Sequence, residues 1–353
     1  MRRVKKSDSN GSKQDPLRPC AWKPRNGANK PSVSSETGTI DTGSSDSYVG
    51  RFAPSPTGPL HFGSLIAAVS SFLEARKRGG RWLVRVEDID PPREQAGATK
   101  QILEALDIYG FEWDGPVTYQ SASRRSHDEA LEILVERGLA YRCGCSRRDL
   151  ADLPHSSLGV IYPGTCRTGS DASEVAIRIR TNDHVLAFDD QLQGLQSQRL
   201  ESESGDFIIL RKDGLIAYHL AVVVDDYLQA ITDVVRGIDL MDSTPRQIWL
   251  QQMLDYPTPN YLHIPVATND NKQKLSKSFG AGAISLEKAA ETLIAALRVL
   301  GQQPPNELDD GSIADIWRWA QKNWNIDVLK QLSEIPVGHI VLAQAGKSPP
   351  NNP

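Results

Sequence analysis

The chain has 353 residues, 39% of them hydrophobic and 24% charged, enough for about two or three modest domains with real cores. A formal net charge of −4 excludes a global basic field, so any nucleic-acid contact has to come from local patches. No apolar run approaches the ~20 residues of a membrane helix, no signal-peptide core follows the start, and the cysteines are too few for a disulfide scaffold, so a cytoplasmic protein is expected.

Residues 1–47 are rich in Ser, Gly, Asn, Lys and Arg and cannot bury enough surface to offset their ordering entropy. Disorder is expected there, with Arg2, Arg3, Lys5 and Lys6 as part of a solvated tail. Tyr48–Ala53 then reads as a strand and Ser64–Arg78 as a helix, apolar at 65, 66, 69, 72 and 73. Trp82–Val86 reads as a strand, and Ala98–Tyr109 and Arg124–Arg137 as amphipathic helices. This alternation predicts an α/β fold with a doubly wound, Rossmann-type parallel sheet, its first half spanning 48–140. The pattern breaks near Tyr141, so 141–206 is expected to be an insertion that splits the sheet domain. It resumes in 207–280, where Phe207–Leu210, Leu220–Val224, Ile231–Val235 and Leu262–Ala267 read as strands. Residues 281–345 read as a small helical region with Trp317, Trp319 and Trp324 supplying core, and 346–353 as an unstructured tail.

His61-Phe62-Gly63-Ser64 falls at the junction of the first strand and first helix, and parallel sheets collect ligands at such junctions. Free backbone N–H groups and the helix dipole favour phosphate there; His61 can donate to a phosphate oxygen, and Gly63 lets a flat base approach. Taken alone, a histidine that merely caps the helix fits equally well. A second element, Lys274-Leu275-Ser276-Lys277-Ser278, sets two lysines three apart in a polar loop, where they can stabilise charge developing on a phosphoryl centre. A lysine-rich loop by itself is usually only solvated.

Together the two elements resemble the HIGH and KMSKS signatures of class I aminoacyl-tRNA synthetases. The resemblance implies ATP as substrate with Mg²⁺, catalytic roles for His61, Lys274 and Lys277, and further ATP contacts at Gly63 and Ser64. The fourth HIGH position is Ser64 instead of histidine, which leaves His61 as the imidazole at the phosphates. Gly50–Gly58 and Val234–Gln247 resemble the glutamyl branch, which implies a glutamate site formed by Arg51, Phe52, Ala53, Pro54, Ser55, Glu87, Tyr218 and Arg236. The residue types suit that ligand: arginine forks take carboxylates, Glu87 takes the ammonium, and Tyr218 adds a hydroxyl.

Cys143, Cys145 and Cys166 place three soft donors close in sequence, which suits a structural Zn²⁺ stapling the insertion. General ligand chemistry favours His155 as the fourth donor, whereas the resemblance implies Tyr162, four residues before Cys166; three reduced cysteines without metal is the remaining alternative.

Arg85–Glu94, the Cys-x-Cys spacing and Ala217–Asp226 are most similar to the short paralogues of the glutamyl enzyme, and residues 279–353 leave room for a few helices, not a large helical anticodon-binding domain. That resemblance implies tRNA-independent, ATP-dependent activation of glutamate and its transfer to queuosine in the anticodon loop of tRNA(Asp), by a monomer. Two other readings stay open: a truncated glutamyl enzyme charging tRNA(Glu), and a non-catalytic RNA-binding relic. Intact His61, Gly63, Lys274 and Lys277 argue against the relic.

Overall fold

Strand β1 (Val49–Phe52) is short because Pro54 and Pro56 follow it and lack the N–H that a ladder needs. The computed structural model describes residues 47–156, 158–268 and 282–337. Beyond β1 the chain enters helix α1 (Phe62–Lys77), which buries Leu65, Ile66, Val69, Phe72 and Leu73. Strand β2 (Arg81–Val86), helix α2 (Ala98–Ile108) and strand β3 (Thr118–Tyr119) follow, and β1-β2-β3 form a parallel sheet in that order.

Helix α3 (Arg124–Glu136) leads into β4 (Ala140–Cys143), and β5 (His155–Ser156) with β6 (Gly159–Val160) makes a small hairpin. Strand β7 (Ala176–Ile179) pairs antiparallel with β4, and β8 (Val185–Asp190) with β9 (Gly194–Arg199). A short helix, α4 (Leu200–Glu203), precedes β10 (Ile208–Leu210), which takes the other edge of β7. Then come α5 (Tyr218–Leu228), β11 (Asp233–Gly237), α6 (Thr244–Leu254), β12 (Asn260–Ile264) and β13 (Val266–Thr268). The last elements are α7 (Ala289–Val299), α8 (Ile313–Asn323) and β14 (Glu334–Pro336), which pairs parallel with β13.

Two hydrogen bonds bring the halves of the sheet together. Thr232 N–H donates to the Val49 carbonyl at 3.0 Å, and Thr232 Oγ1 accepts from Val49 N–H at 2.8 Å. So β11 starts beside β1, with β12 parallel to it on the far side. The chain winds outward from β1 to β3 in one direction and from β11 to β12 in the other. The order reverses between β1 and β11, and the carboxyl-end crevice at such a reversal is where ligands bind.

One core joins α1 and α2 to α7 and α8, and a second lies under α3, α5 and α6. In the first core the Trp82 ring packs on Phe52, Phe72 and Phe111, and its Nε1–H donates to Ser71 Oγ at 2.9 Å. Trp317 reaches the same aromatic group and donates from Nε1 to the Tyr109 carbonyl, while Trp324 donates to Glu74. Trp317 and Trp324 are buried as expected, and Trp319 is partly buried against the same core.

Several expected elements are corrected. Leu220–Val224 is the middle of helix α5, not a strand. It is packed by α3, α6 and β10, so apolar residues are needed on every side and the 3.6-residue period disappears. Phe207–Leu210 does contain a strand, but β10 joins the antiparallel sheet with β7 and β4 rather than the parallel one. Conversely, residues 185–199, read as part of the insertion, form a hairpin whose β8 meets β12 through Asp190 and Tyr261. The expected strand Leu262–Ala267 divides at Pro265, and the C-terminal region ends in a strand as well as helices. The segments expected to be disordered, 1–47 and 346–353, lie outside the described residues except for Ser47.

Asp206 anchors the antiparallel sheet. It is fully buried and accepts from Tyr141 Oη at 2.5 Å, Arg167 Nε and Nη2 at 2.7 Å each, Thr181 N–H at 2.7 Å and Thr181 Oγ1 at 2.9 Å.

Candidate active site

A cavity of about 700 Å³ opens at the carboxyl ends of β1, β2 and β11. Its lining includes Arg51, Phe52, Ala53, Pro54, Ser55, His61, Gly63, Ser64, Glu87, Tyr218 and Arg236, so every predicted glutamate or ATP residue within the described segments meets there. A second cavity, about 510 Å³, lies near the opposite ends of β1 and β11 and contains none of them.

His61 is the N-cap of α1, in an extended conformation (φ −109°, ψ 169°). Its Nδ1 accepts from Ser64 N–H at 3.2 Å, which places the ring proton on Nε2, facing Ser64 Oγ at 3.0 Å. The capping and ligand-facing readings of His61 are therefore compatible: the imidazole holds the helix start and lines the cavity at once.

Behind Arg51 stands a buried charge network. Arg51 Nε and Nη2 face the two oxygens of Asp226 at 3.2 and 3.5 Å, and Arg85 Nη2 reaches Asp226 at 2.8 Å and Glu87 at 3.5 Å. Burial opposes ionisation of Asp226, but the Arg51 and Arg85 guanidiniums hold it below the usual carboxylate range. Glu87 goes the other way: burial outweighs Arg85 and Arg51 and pushes it up to about 7. A carboxylate this starved of solvation gains most from an incoming ammonium. If it holds the amino group of glutamate, the KM for glutamate rises as pH falls below about 7, by up to ~10-fold per pH unit. Glu87→Gln should give a raised KM with a flat profile over the same range. A wild-type KM unchanged between pH 6 and 8 excludes the role.

Arg236 differs from Arg51 because its partners are neutral. Nε donates to His263 Nε2 at 3.0 Å and Nη2 to Thr244 Oγ1 at 2.7 Å; Nη1 is buried and has no partner among the described residues. Tyr218 stands at the first turn of α5, where burial raises its pKa and keeps the phenol protonated.

In the antiparallel module, the sulfurs of Cys143, Cys145 and Cys166 all lie within 4.8 Å of one another. Tyr162 is buried with its Oη 3.4 Å from Cys143 Sγ and 3.5 Å from Cys145 Sγ, and it accepts from Cys166 N–H at 3.0 Å. Arg178 donates from Nε to Cys143 Sγ at 3.3 Å and stacks its guanidinium on the Tyr162 ring. Tetrahedral Zn–S bonds of about 2.3 Å separate sulfurs by roughly 3.8 Å, so the donor set fits zinc. His155 is exposed on the β5–β6 hairpin.

Residues 48–307 match the catalytic-domain family described as tRNA synthetases class I (E and Q). The chain belongs to this family. A relative from Dechloromonas aromatica named Glutamyl-Q tRNA(Asp) synthetase is 53% identical over 293 residues, covering 82% of this chain and 97% of that protein. Another of the same name, from Pseudomonas fluorescens, is 49% identical over 83% of this chain and 97% of its own length. The crystal structure of a glutamate tRNA ligase from Elizabethkingia meningosepticum in complex with its amino acid matches with a TM-score of 0.70 at 22% identity, over 83% of this chain and 67% of that one. That likeness is one of fold.

Of the residues expected in a class I synthetase site, Lys274 and Lys277 lie outside the described residues. The described chain on either side of them meets the cavity: Val266 and Ala267 line it, Ala283 forms a bridge with His61, and Ile284 N–H donates to the Leu60 carbonyl. Sequence reading missed Arg85, Asp226, Thr244, His263 and Asp190, which hold the arginines and Glu87. Arg85 inside the apolar strand Trp-Leu-Val-Arg-Val, and Asp225-Asp226 closing a buried run, were visible signals.

Proposed function

We propose that this synthetase is a ligase that activates glutamate with ATP without needing tRNA, then transfers it to queuosine in the anticodon loop of tRNA(Asp). The observation that carries the reading is about 50% identity over nearly the whole length of relatives named for that activity, together with a cavity suited to a dicarboxylic amino acid. In the first step the glutamate α-carboxylate attacks the α-phosphorus of ATP, pyrophosphate leaves, and glutamyl-adenylate forms. Arg236 and Arg51 hold carboxylate charge, Glu87 the ammonium, and Tyr218 supplies a hydroxyl. His61, the α1 N-terminus, Lys274 and Lys277 stabilise the charge on the phosphates. Mg²⁺, when bound, neutralises pyrophosphate charge. In the second step a ring hydroxyl of queuosine attacks the activated carbonyl and AMP leaves. The enzyme works as a cytoplasmic monomer.

The test is transfer of labelled glutamate to tRNA(Asp) with and without queuosine, beside tRNA(Glu). Labelling confined to queuosine-containing tRNA(Asp) supports the reading; labelling of tRNA(Glu) instead overturns it.

Cys143, Cys145, Cys166 and Tyr162 form the zinc site in this reading, and zinc is structural because four protein donors leave no open position. Metal analysis should find about one zinc per chain, and Cys145→Ser should lose it and lower the melting temperature. Tyr162→Phe should weaken retention against a chelator, whereas His155→Ala should leave it unchanged. The reverse pattern for the last two exchanges the fourth ligand.

A further inference from the structure

We propose that Asp190 and His263 are positioning residues for Arg236: Asp190 fixes the His263 proton on Nδ1, and the Nε2 lone pair left free locks the guanidinium in place at the wall of the cavity that takes the glutamate carboxylate. The inference rests on the glutamate reading of the cavity and extends it to two residues outside the cavity lining.

The geometry leaves one tautomer. Arg236 Nε carries a hydrogen at all accessible pH, so at 3.0 Å His263 Nε2 has to accept. The ring proton is then on Nδ1, 2.6 Å from Asp190 Oδ2. Thr244 completes the lock, accepting from Arg236 Nη2 at 2.7 Å while its Oγ1 lies 3.1 Å from the same Nε2. Arg236 and His263 are register partners on β11 and β12, and Asp190 sits where β8 meets β12, so three strands define the chain of contacts. All three side chains are buried, and no solvent competes for these bonds.

Asp190 also dictates what an asparagine does in its place. Oδ1 accepts from Leu192 N–H at 3.1 Å, Gln193 N–H at 2.9 Å and His263 N–H at 3.2 Å. Those three donors keep the amide oxygen on their side, so the amide nitrogen replaces Oδ2 and presents N–H to His263 Nδ1. The imidazole then has to carry its proton on Nε2, where it confronts the Arg236 Nε–H. Tautomer inversion of this kind is how Asp-to-Asn changes disable other Asp–His pairs without moving them.

The experiment uses the full chain, with ¹⁵N-labelled histidine and the His263 signals assigned by difference from His263→Gln. In the wild type at neutral pH, Nδ1 should show the shift of a protonated nitrogen and Nε2 that of an unprotonated one; Asp190→Asn should exchange them. In glutamate-dependent ATP–pyrophosphate exchange, Asp190→Asn should raise the KM for glutamate by ~10–100-fold and narrow discrimination against glutamine, with the KM for ATP within about twofold. Combined with Arg236→Ala, it should add little further loss, because both changes remove the same contact. A wild-type imidazole protonated on Nε2 overturns the proposal even if Asp190→Asn does not fold. So does an inverted tautomer with an unchanged KM for glutamate. Failure of the underlying reading looks different: wild-type exchange that does not depend on glutamate, with the tautomer still deciding whether the lock exists.

Discussion

Arg236→Ala is expected to lower kcat/KM for glutamate in ATP–pyrophosphate exchange by ~10²–10³-fold, with the KM for ATP within about twofold. Truncating one side of a buried, hydrogen-bonded charge pair costs about 2–5 kcal/mol, and each 1.4 kcal/mol is tenfold. The middle of that range, about 2.8–4.2 kcal/mol, is expected because Arg236 is 5% exposed and has neutral hydrogen-bond partners, so a carboxylate bound there would be its counter-charge. Arg51 is already shared with Asp226, and Arg51→Ala should cost less. Arg236→Lys should not restore full activity, because a single-centre ammonium replaces a planar fork that meets His263 and Thr244 through two separate nitrogens and fixes the direction of the rest of the group. The alanine variant should stay folded, since Thr244 Oγ1 and His263 Nε2 remain 3.1 Å apart and can bond each other. A folded Arg236→Ala enzyme within threefold of wild type would falsify the carboxylate role.

The second large effect is on stability. Asp206→Asn should destabilise the protein by about 3–5 kcal/mol, the range for breaking a buried pair, and lower the melting temperature by roughly 10 °C. Conservative shape does not help, because both Asp206 oxygens receive only donors: Oδ2 from Tyr141 and Arg167 Nε, Oδ1 from Arg167 Nη2 and both Thr181 groups. An asparagine NH₂ opposes donors on whichever side it faces. The pH dependence has a definite sign. Burial opposes ionisation, yet the Arg167, Tyr141 and Thr181 donors depress the folded-state pKa below the ordinary 3.8. The stabilisation is thus complete above the unfolded value and is lost as pH falls through the folded one. The gap between wild type and Asp206→Asn in denaturant unfolding should be widest near neutrality and shrink below pH about 4. A gap that widens toward low pH rules this account out.

The residues that line the cavity were legible because chemistry constrains their order along the chain. Arg51, His61, Glu87 and Arg236 each sit where a strand hands over to a loop or helix, and such junctions can be read from local pattern. Their support was mostly not legible. Asp226 was marked only by an acidic pair closing a buried run, and its partner lies 175 residues away; Asp190 and His263 act through partners 73 and 27 residues away in sequence, and nothing local marks them. Helix α5 was misread for a related reason: a helix enclosed on all sides loses the periodicity that distinguishes it from a buried strand. The hairpin of β8 and β9 escaped because its link to the catalytic sheet is one pairing, Asp190 with Tyr261, between residues far apart in the chain.

The pairing of β13 with β14 has a practical side. Val266–Thr268 is the last described stretch before the two signature lysines, and its ladder neighbour is Glu334–Pro336, close to the carboxyl terminus. Trimming the polypeptide back past Ser333 would strip the bonds from Val266 N–H to Ser333 and from Val337 N–H to Thr268, and unmoor the root of the lysine-bearing segment. A truncation or fusion point set close to Val337 would therefore disturb that seam.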